Sequence, residues 1–278
     1  MSRIKELQGD LQQTETAQFV TAMLRDISAT RLQAIRTAYE KNISYYNELH
    51  DLMSLIKYQA NKKGVVVPAN NKTIYIAVTA NRRFYGAVNN RVIKTLKKIV
   101  LENKDTLDFH IVGQTGVQVA KNDEVLKKIP FQETIFSGEE ASSKDVSDII
   151  EGVRMYGDVK IIHPLFINSF QQDVVVSDLT HVMDEETKND AIHLDYIFEP
   201  DLPVLLNFFR DHIRVLLFRR ILLETRLALT ASRLMKMQSA KDRAGEIVKS
   251  QRREIHKQMR IVQNMRLLET FISFVEKK

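Results

Sequence analysis

The residue types and spacings with the best claim to chemistry are Arg82 and Arg83 in the loop Asn81-Arg-Arg-Phe-Tyr-Gly86-Ala-Val-Asn-Asn90, and the short run Gly113-Gln-Thr-Gly116. The loop falls between a predicted strand and a predicted helix, the place where backbone N–H groups at a helix N-terminus hold phosphates. A phosphate cradle needs more than this. No G-x-x-x-x-G-K-[ST] and no G-x-G-x-x-G follows any predicted strand, and Gly113–Gly116 lacks the lysine. The seven histidines show no metal-ligand spacing such as H-E-x-x-H. No serine occupies a G-x-S-x-G elbow, and Glu139-Glu140 sits in a glycine-serine loop. Zero cysteines exclude thiolate catalysis, disulfides and cysteine-held metals. The sequence therefore assigns no catalytic, cofactor-binding or metal-ligating residue, and the expected work of the chain lies in its surfaces.

Charge locates one such surface. The net +6 divides unevenly: residues 1–60 carry seven basic and seven acidic side chains, residues 61–201 carry 17 and 21, and residues 202–278 carry 17 and 7. The basic excess lies on the C-terminal segment, with Lys249, Arg252, Arg253, Lys257 and Arg260 close together. Such a run is a solvated face, a site for nucleic-acid or membrane phosphates, or a surface for an acidic protein. It lacks the interleaved aromatics and compact module that nucleic-acid recognition uses.

The elements that must carry these residues are two long helices around a strand-rich middle. Residues 204–278 contain no proline and one glycine, Gly245, and residues 10–63 contain neither. Helix interiors disfavour glycine by about 1 kcal/mol and proline by about 3, so these gaps predict continuous helices. At about 1.5 Å per residue they would reach roughly 80 and 110 Å, further than one compact domain can cover. From Leu32 the spacing Leu32, Ile35, Tyr39, Asn42, Tyr46, Leu49, Met53, Ile56 is a coiled-coil seam with one polar break. The C-terminal end is apolar again at Leu267, Leu268, Phe271, Ile272, Phe274 and Val275. A solvated tip has no reason to be so apolar. Between the helices, strands at Thr73–Thr79, Phe109–Val112, Phe131–Phe136, Val159–His163 and Asp173–Val176 alternate with helices at Asn89–Asn103 and Ser143–Tyr156. That alternation predicts an α/β sheet covered by helices. The expected divisions are 1–63, 64–201 and 202–278, with the acidic run Met183–Asp190 as a mobile surface segment. No run approaches the ~18 apolar residues needed to span a bilayer, and the N-terminus has no apolar signal region, so the expected location is cytoplasmic or membrane-peripheral.

Several stretches, in order, resemble the gamma subunit of F-type ATP synthases. Leu194-Asp-Tyr-Ile-Phe-Glu-Pro-Asp201 resembles the family's aromatic-Glu-Pro turn before its C-terminal helix. Ala231-Ser-Arg-Leu-Met-Lys-Met237-Gln-Ser-Ala240-Lys-Asp242-Arg-Ala244 is similar to the family's Ala-Arg-Met-x-Ala-Met-x-x-Ala-x-x-Asn-Ala pattern. Thr79-Ala-Asn-Arg-Arg-Phe-Tyr-Gly86-Ala-Val-Asn89 is similar to Thr-Ser-Asp-Arg-Gly-Leu-Cys-Gly-Gly-Phe-Asn. Lys160-Ile-Ile-His-Pro-Leu-Phe166-Ile-Asn168 resembles the family strand ending Phe-Ile-Asn, and Ala22-Met23 falls where the N-terminal helix has Ala-Met.

The resemblance implies a noncatalytic rotor shaft: terminal helices in a long antiparallel coiled coil, plus a central Rossmann-like α/β domain. It implies alpha and beta subunits of a catalytic hexamer as partners, with an epsilon-like stalk subunit and a membrane rotor ring, or a substitute, at the foot. No nucleic acid and no cofactor is implied. The location would be peripheral, on the cytoplasmic face of a membrane. Hexamer contacts would fall on Met23, Arg233, Met237, Asp242, Arg252, Arg253, Lys257, Arg260, Leu267 and Phe271, and the α/β-domain turn on Thr79, Arg82, Gly86 and Asn89. The chain departs from the pattern at Asn81, Arg83 and Tyr85, where the family has Asp, Gly and Cys, and at Lys236. Around Lys257 and Leu267 only those two residues match, so the family's Arg-Gln latch does not transfer. Two other functions compete: a basic coiled-coil adaptor or nucleic-acid scaffold, motivated by the charged C-terminal segment, and a nucleotide-binding regulator using Arg82 and Arg83.

Overall fold

The computed structural model describes residues 2–62, 72–82, 84–102, 107–139, 141–180 and 199–275. Arg83, Glu140, the run Met183–Asp190 and most of the aromatic-Glu-Pro stretch lie outside the described residues. The elements run α1 (Ser2–Lys62), β1 (Thr73–Val78), α2 (Val88–Glu102), β2 (Leu107–Val112), α3 (Gln114–Asn122), β3 (Gln132–Thr134), α4 (Ser143–Val153), β4 (Asp158–Phe166), β5 (Gln172–Asp178) and α5 (Leu202–Val275). A 3₁₀ turn, Leu126–Lys128, joins α3 to β3. The fold is mixed α/β with two long terminal helices, as expected. The chain divides into two compact units, one of Met1–Ala29 with Leu234–Lys278 and one of Thr30–Arg233.

The Thr30–Arg233 unit is built on a five-stranded sheet of order β3-β2-β1-β4-β5. The first four strands pair in parallel and β5 returns antiparallel on β4. A parallel strand covered on both faces reads as an unbroken apolar run, and Thr-Ile-Tyr-Ile-Ala-Val of β1 fits that rule. Successive side chains alternate between faces. Ala77, Phe109 and Ile111 pack with Val92, Ile93 and Leu96 of α2 and Val117 of α3. Ile74, Ile76 and Val78 pack on the other face with Val146 and Ile149 of α4, Tyr46 and Ile56 of α1, and Ile213, Leu217 and Phe218 of α5. The seam read from Leu32 therefore buries Ile35, Tyr46 and Ile56. Within this unit the helix pair is the layer that covers one face of the sheet.

One helix is new relative to the sequence reading. Gln114–Asn122 is helical, so Gly113-Gln-Thr-Gly116 is a helix start rather than a loop. The two glycines had masked it, because glycine is a poor helix former. Strand β3 is shorter than Phe131–Phe136, and β4 and β5 are longer than expected. Helix α4 starts on a capping box in which Ser142 and Asp145 satisfy one another's backbone N–H groups.

The Met1–Ala29/Leu234–Lys278 unit is an antiparallel helix pair. Arg25 Nη1 donates to Gln238 Oε1 at 3.4 Å, Arg252 Nη2 pairs with Glu15 Oε1 at 2.6 Å, and Gln18 lies beside Gly245. As the residue number falls on α1 it rises on α5. At Gly245, the lone glycine of the long C-terminal run, a Cβ would lie 3.0 Å from Gln18 Nε2, the end of a flexible side chain that a slight shift would clear.

Candidate functional site

The turn after β1 is held by a close approach of backbones. Thr79 is buried, and its N–H and hydroxyl both donate to the Val112 carbonyl, each at 2.8 Å. The same hydroxyl accepts from the Gly116 N–H at 3.0 Å. Asn89, also buried, accepts from the Ala80 N–H at 3.0 Å and closes the turn onto α2. Gly86 takes φ 67°, the left-handed region that glycine tolerates. Arg82 is exposed, and its carbonyl accepts from the Thr115 hydroxyl at 3.1 Å. Thr79, Gly86 and Asn89 thus build a turn, and the glycines at 113 and 116 make room for Thr79.

Two departures from the family pattern acquire partners here. Asn81 Nδ2 donates to the carbonyls of Phe136 and Gly138, both at 2.6 Å, while its Oδ1 accepts from the Gln114 N–H at 3.1 Å. A carboxylate could not make those two donations. Asn81→Asp should therefore set a charge against two carbonyl oxygens and cost about 1–3 kcal/mol. A urea titration that leaves the midpoint unmoved would refute this role for Asn81.

Tyr85 is the second. Its hydroxyl donates to Glu139 Oε1 at 2.6 Å, and the Arg233 guanidinium lies 5.6 Å from its ring centroid. Glu139 also receives Arg31 Nη1 of α1 at 2.7 Å and Arg233 Nη1 of α5 at 3.3 Å. Ser232 of α5 donates to the Tyr85 carbonyl at 2.9 Å. One carboxylate thus binds both long helices to the β1–α2 loop. Burial pushes the Glu139 carboxyl up, but the Tyr85 hydroxyl and the two guanidinium groups outweigh it and hold the carboxyl below its usual range. Burial, then the Glu139 hydrogen bond and charge, pushes the Tyr85 phenol up to about 12. At neutral pH the Glu139 carboxyl is therefore ionised and the Tyr85 phenol keeps its proton. Sequence reasoning saw Glu139 only as part of a loop, since partners 108 and 94 residues away leave no local signal.

The remaining predicted contact residues divide between packing and surface. Met237 is 7% exposed and Arg233 is held by Glu139, so neither presents a free side chain. Met23, Asp242, Arg252, Arg253, Lys257, Arg260, Leu267 and Phe271 are exposed. Asp242 accepts from Gln238, and Arg252 is paired with Glu15. Arg253, Lys257 and Arg260 belong to a basic face that gives way to an apolar one, with Phe271 69% and Val275 75% exposed.

A family model described as ATP synthase matches residues 3–264. The chain belongs to the ATP synthase gamma-chain family. An ATP synthase gamma chain of Clostridium acetobutylicum is 27% identical over 238 residues, covering 82% of each chain. That of Psychrobacter arcticus is 22% identical over 269 residues, covering 89% of this chain and 90% of the relative. Among solved structures, a chain of the central stalk and c-ring of the Tetrahymena thermophila mitochondrial ATP synthase has TM-score 0.58 at 18% identity, covering 80% of this chain and 99% of that one. A chain of the Euglena gracilis mitochondrial ATP synthase rotor has TM-score 0.65 at 11% identity, covering 94% and 99%. At these identities the structures show a shared fold. The role of this gamma-family chain is that of a central-stalk subunit of an F-type ATP synthase, which decides among the functions the sequence left open. Among the described residues, no helix is long and apolar enough to cross a membrane.

Proposed function

We propose that this gamma-family chain is the noncatalytic rotor of an F-type ATPase, carrying torque between an alpha-beta catalytic hexamer and a foot-end partner such as a membrane rotor ring with an epsilon-like subunit. The solved relatives are described as rotor, or as stalk with c-ring, and the same assembly is the natural one here. The single observation that carries the reading is the antiparallel pair of the Met1–Ala29/Leu234–Lys278 unit, with its outward basic face and a terminal apolar stretch that stays exposed. An acidic surface on the hexamer fits the first and an apolar sleeve at its top fits the second. Torque also needs a grip on the sheet, and within the Thr30–Arg233 unit the Arg31–Glu139–Arg233 cluster, with Tyr85, ties α1 and α5 to the β1–α2 loop. The chain would then sit peripherally, on the cytoplasmic face of its membrane.

The basic face supplies the test. The triple variant Arg253→Glu, Lys257→Glu, Arg260→Glu changes exposed residues, and its thermal midpoint should stay close to the parent's. Close like charges across an interface cost several kcal/mol, so coupled ATP hydrolysis by the assembled complex should fall at least about tenfold. Full coupled activity in a correctly assembled triple variant would contradict the assignment of this face.

A further inference from the structure

A cavity of about 360 Å³ lies within the Thr30–Arg233 unit, between the C-terminal end of β1, the start of α4 and one face each of α1 and α5. Protein interiors are packed like organic crystals and hold few voids larger than a water, whereas this volume lies in the range of small-molecule sites. Its inner wall is apolar and buried: Ile35 of α1, Val78 of β1, Phe136, Val146 of α4, and Leu222 and Leu229 of α5. Ala38 and Arg219 are exposed members of the lining and mark its mouth.

The polar members of the lining are already committed within the fold. Thr79 Oγ1 donates to the Val112 carbonyl and accepts from the Gly116 N–H, while Asn81 Nδ2 donates to the carbonyls of Phe136 and Gly138. Glu139 is held by the Tyr85 hydroxyl, Arg31 and Arg233, and Ser142 closes its capping box with Asp145. Arg226 has interactions of its own, and Arg219, exposed at the mouth, keeps its charge in water. Oδ1 of Asn42 and Oγ1 of Thr225 belong to lining residues but are sealed from anything the size of a water, so they offer an occupant no hydrogen bond. A buried water needs about two to four polar partners, which these walls do not supply. A charged guest would lose its hydration and meet no unmatched charge inside. We propose that this cavity binds one uncharged, apolar molecule about the size of two fused six-membered rings, held by shape and by the removal of apolar surface from water rather than by hydrogen bonds or ion pairs. The site lies wholly within this unit and does not depend on how the chain's other surfaces are used.

The probe is 2-acetyl-6-dimethylaminonaphthalene, an uncharged fluorophore whose emission shifts to the blue in a dry site, titrated into the full chain. One molecule should bind per chain, blue-shifted, with Kd below about 0.3 mM. Its carboxylate analogue, 6-dimethylamino-2-naphthoate, should bind at least about tenfold more weakly, because its charge would be buried without a partner. Ala141→Phe should fill the cavity and Ala38→Phe should close its mouth, each weakening the neutral probe at least about tenfold. Arg219→Gln should leave that affinity within about twofold, since no ion pair holds the guest. Circular dichroism checks each fold, and Ala38→Phe, at an exposed helix position, decides alone if Ala141→Phe unfolds the chain. Absence of saturable 1:1 binding, tighter binding of the carboxylate than of the neutral probe, or binding that Ala38→Phe leaves unchanged would overturn the proposal; the last result would place the probe on the exposed apolar surfaces instead.

Discussion

Gly113→Ala is expected to destabilise the Thr30–Arg233 unit by about 3–5 kcal/mol, combining backbone strain with overpacking. Gly113 has φ 101°, and a Cβ on it would meet the Thr79 carbonyl oxygen and hydroxyl at 2.3 and 2.7 Å. Thr79 has nowhere to retreat, because its N–H and hydroxyl are both committed to Val112 in the middle of the sheet. Gly116→Ala meets the same hydroxyl at 2.4 Å without the backbone strain and should cost less. Gly152→Ala is the control: nothing lies within 4 Å of its Cβ, and it sits in α4. Alanine there should be neutral or stabilising by up to about 1 kcal/mol. The urea midpoint checks all three. An unmoved midpoint for Gly113→Ala would remove the close approach as the reason for this glycine, and would reopen the phosphate-loop reading of Gly113–Gly116.

The second large effect is on acid stability. His110 on β2 and His163 on β4 are buried, and burial lowers each imidazole to about 4. His163 is further lowered by the Arg220 charge, against the opposing effect of its hydrogen bond with the Pro164 carbonyl. In the neutral ring Nδ1 donates to that carbonyl at 3.1 Å and Nε2 accepts from the Ser177 hydroxyl at 2.8 Å. His110 Nε2 lies 2.9 Å from Thr134 Oγ1. Both folded pKa values lie below the unfolded one, so between about pH 6.5 and 4 the unfolded chain binds protons that the folded chain does not. Stability is fully present above pH 6.5 and lost as the pH falls toward 4, at up to about 1.4 kcal/mol per pH unit for each histidine. His110→Gln or His163→Gln should each remove about half of that slope, at some cost to stability at pH 7. Denaturation free energies at pH 4.5 to 7.5 test this. A parent protein whose stability is flat across that range would show that these rings do not stay neutral in the fold.

The long helices were legible because they depend on what is missing. Gly64 and Pro203 bound stretches almost free of helix breakers, and α1 ends and α5 begins beside them, while α1 runs through Gly9 back to Ser2. Strand β1 was legible because a doubly covered parallel strand has little choice but to be apolar. Helix α3 was not, since Gly113 and Gly116 answer to Thr79, a tertiary neighbour 34 and 37 residues away in sequence. The exposed basic and apolar surfaces of α5 could be read from composition. The Glu139 cluster could not, because its meaning depends on Arg31 and Arg233 arriving from opposite ends of the chain. Met237, which matches the family pattern, is packed among its neighbours in this chain, a burial that the pattern by itself does not show. Asn42 was visible as a break in a stripe, but only the fold opens a cavity beside it.

The central claim is that this chain works as the stalk of a rotary ATPase, and recovery of its complex tests that most directly. A tagged full-length copy is expressed in the native organism and purified under gentle conditions. Its partners are identified by mass spectrometry, and ATP hydrolysis is assayed on the eluate and on the separated chain. The account predicts alpha-like and beta-like subunits in the eluate together with ATPase activity, and no turnover by the chain alone. ATP turnover by the isolated chain, or an eluate of nucleic acid or unrelated scaffold proteins without hexamer subunits, would contradict it.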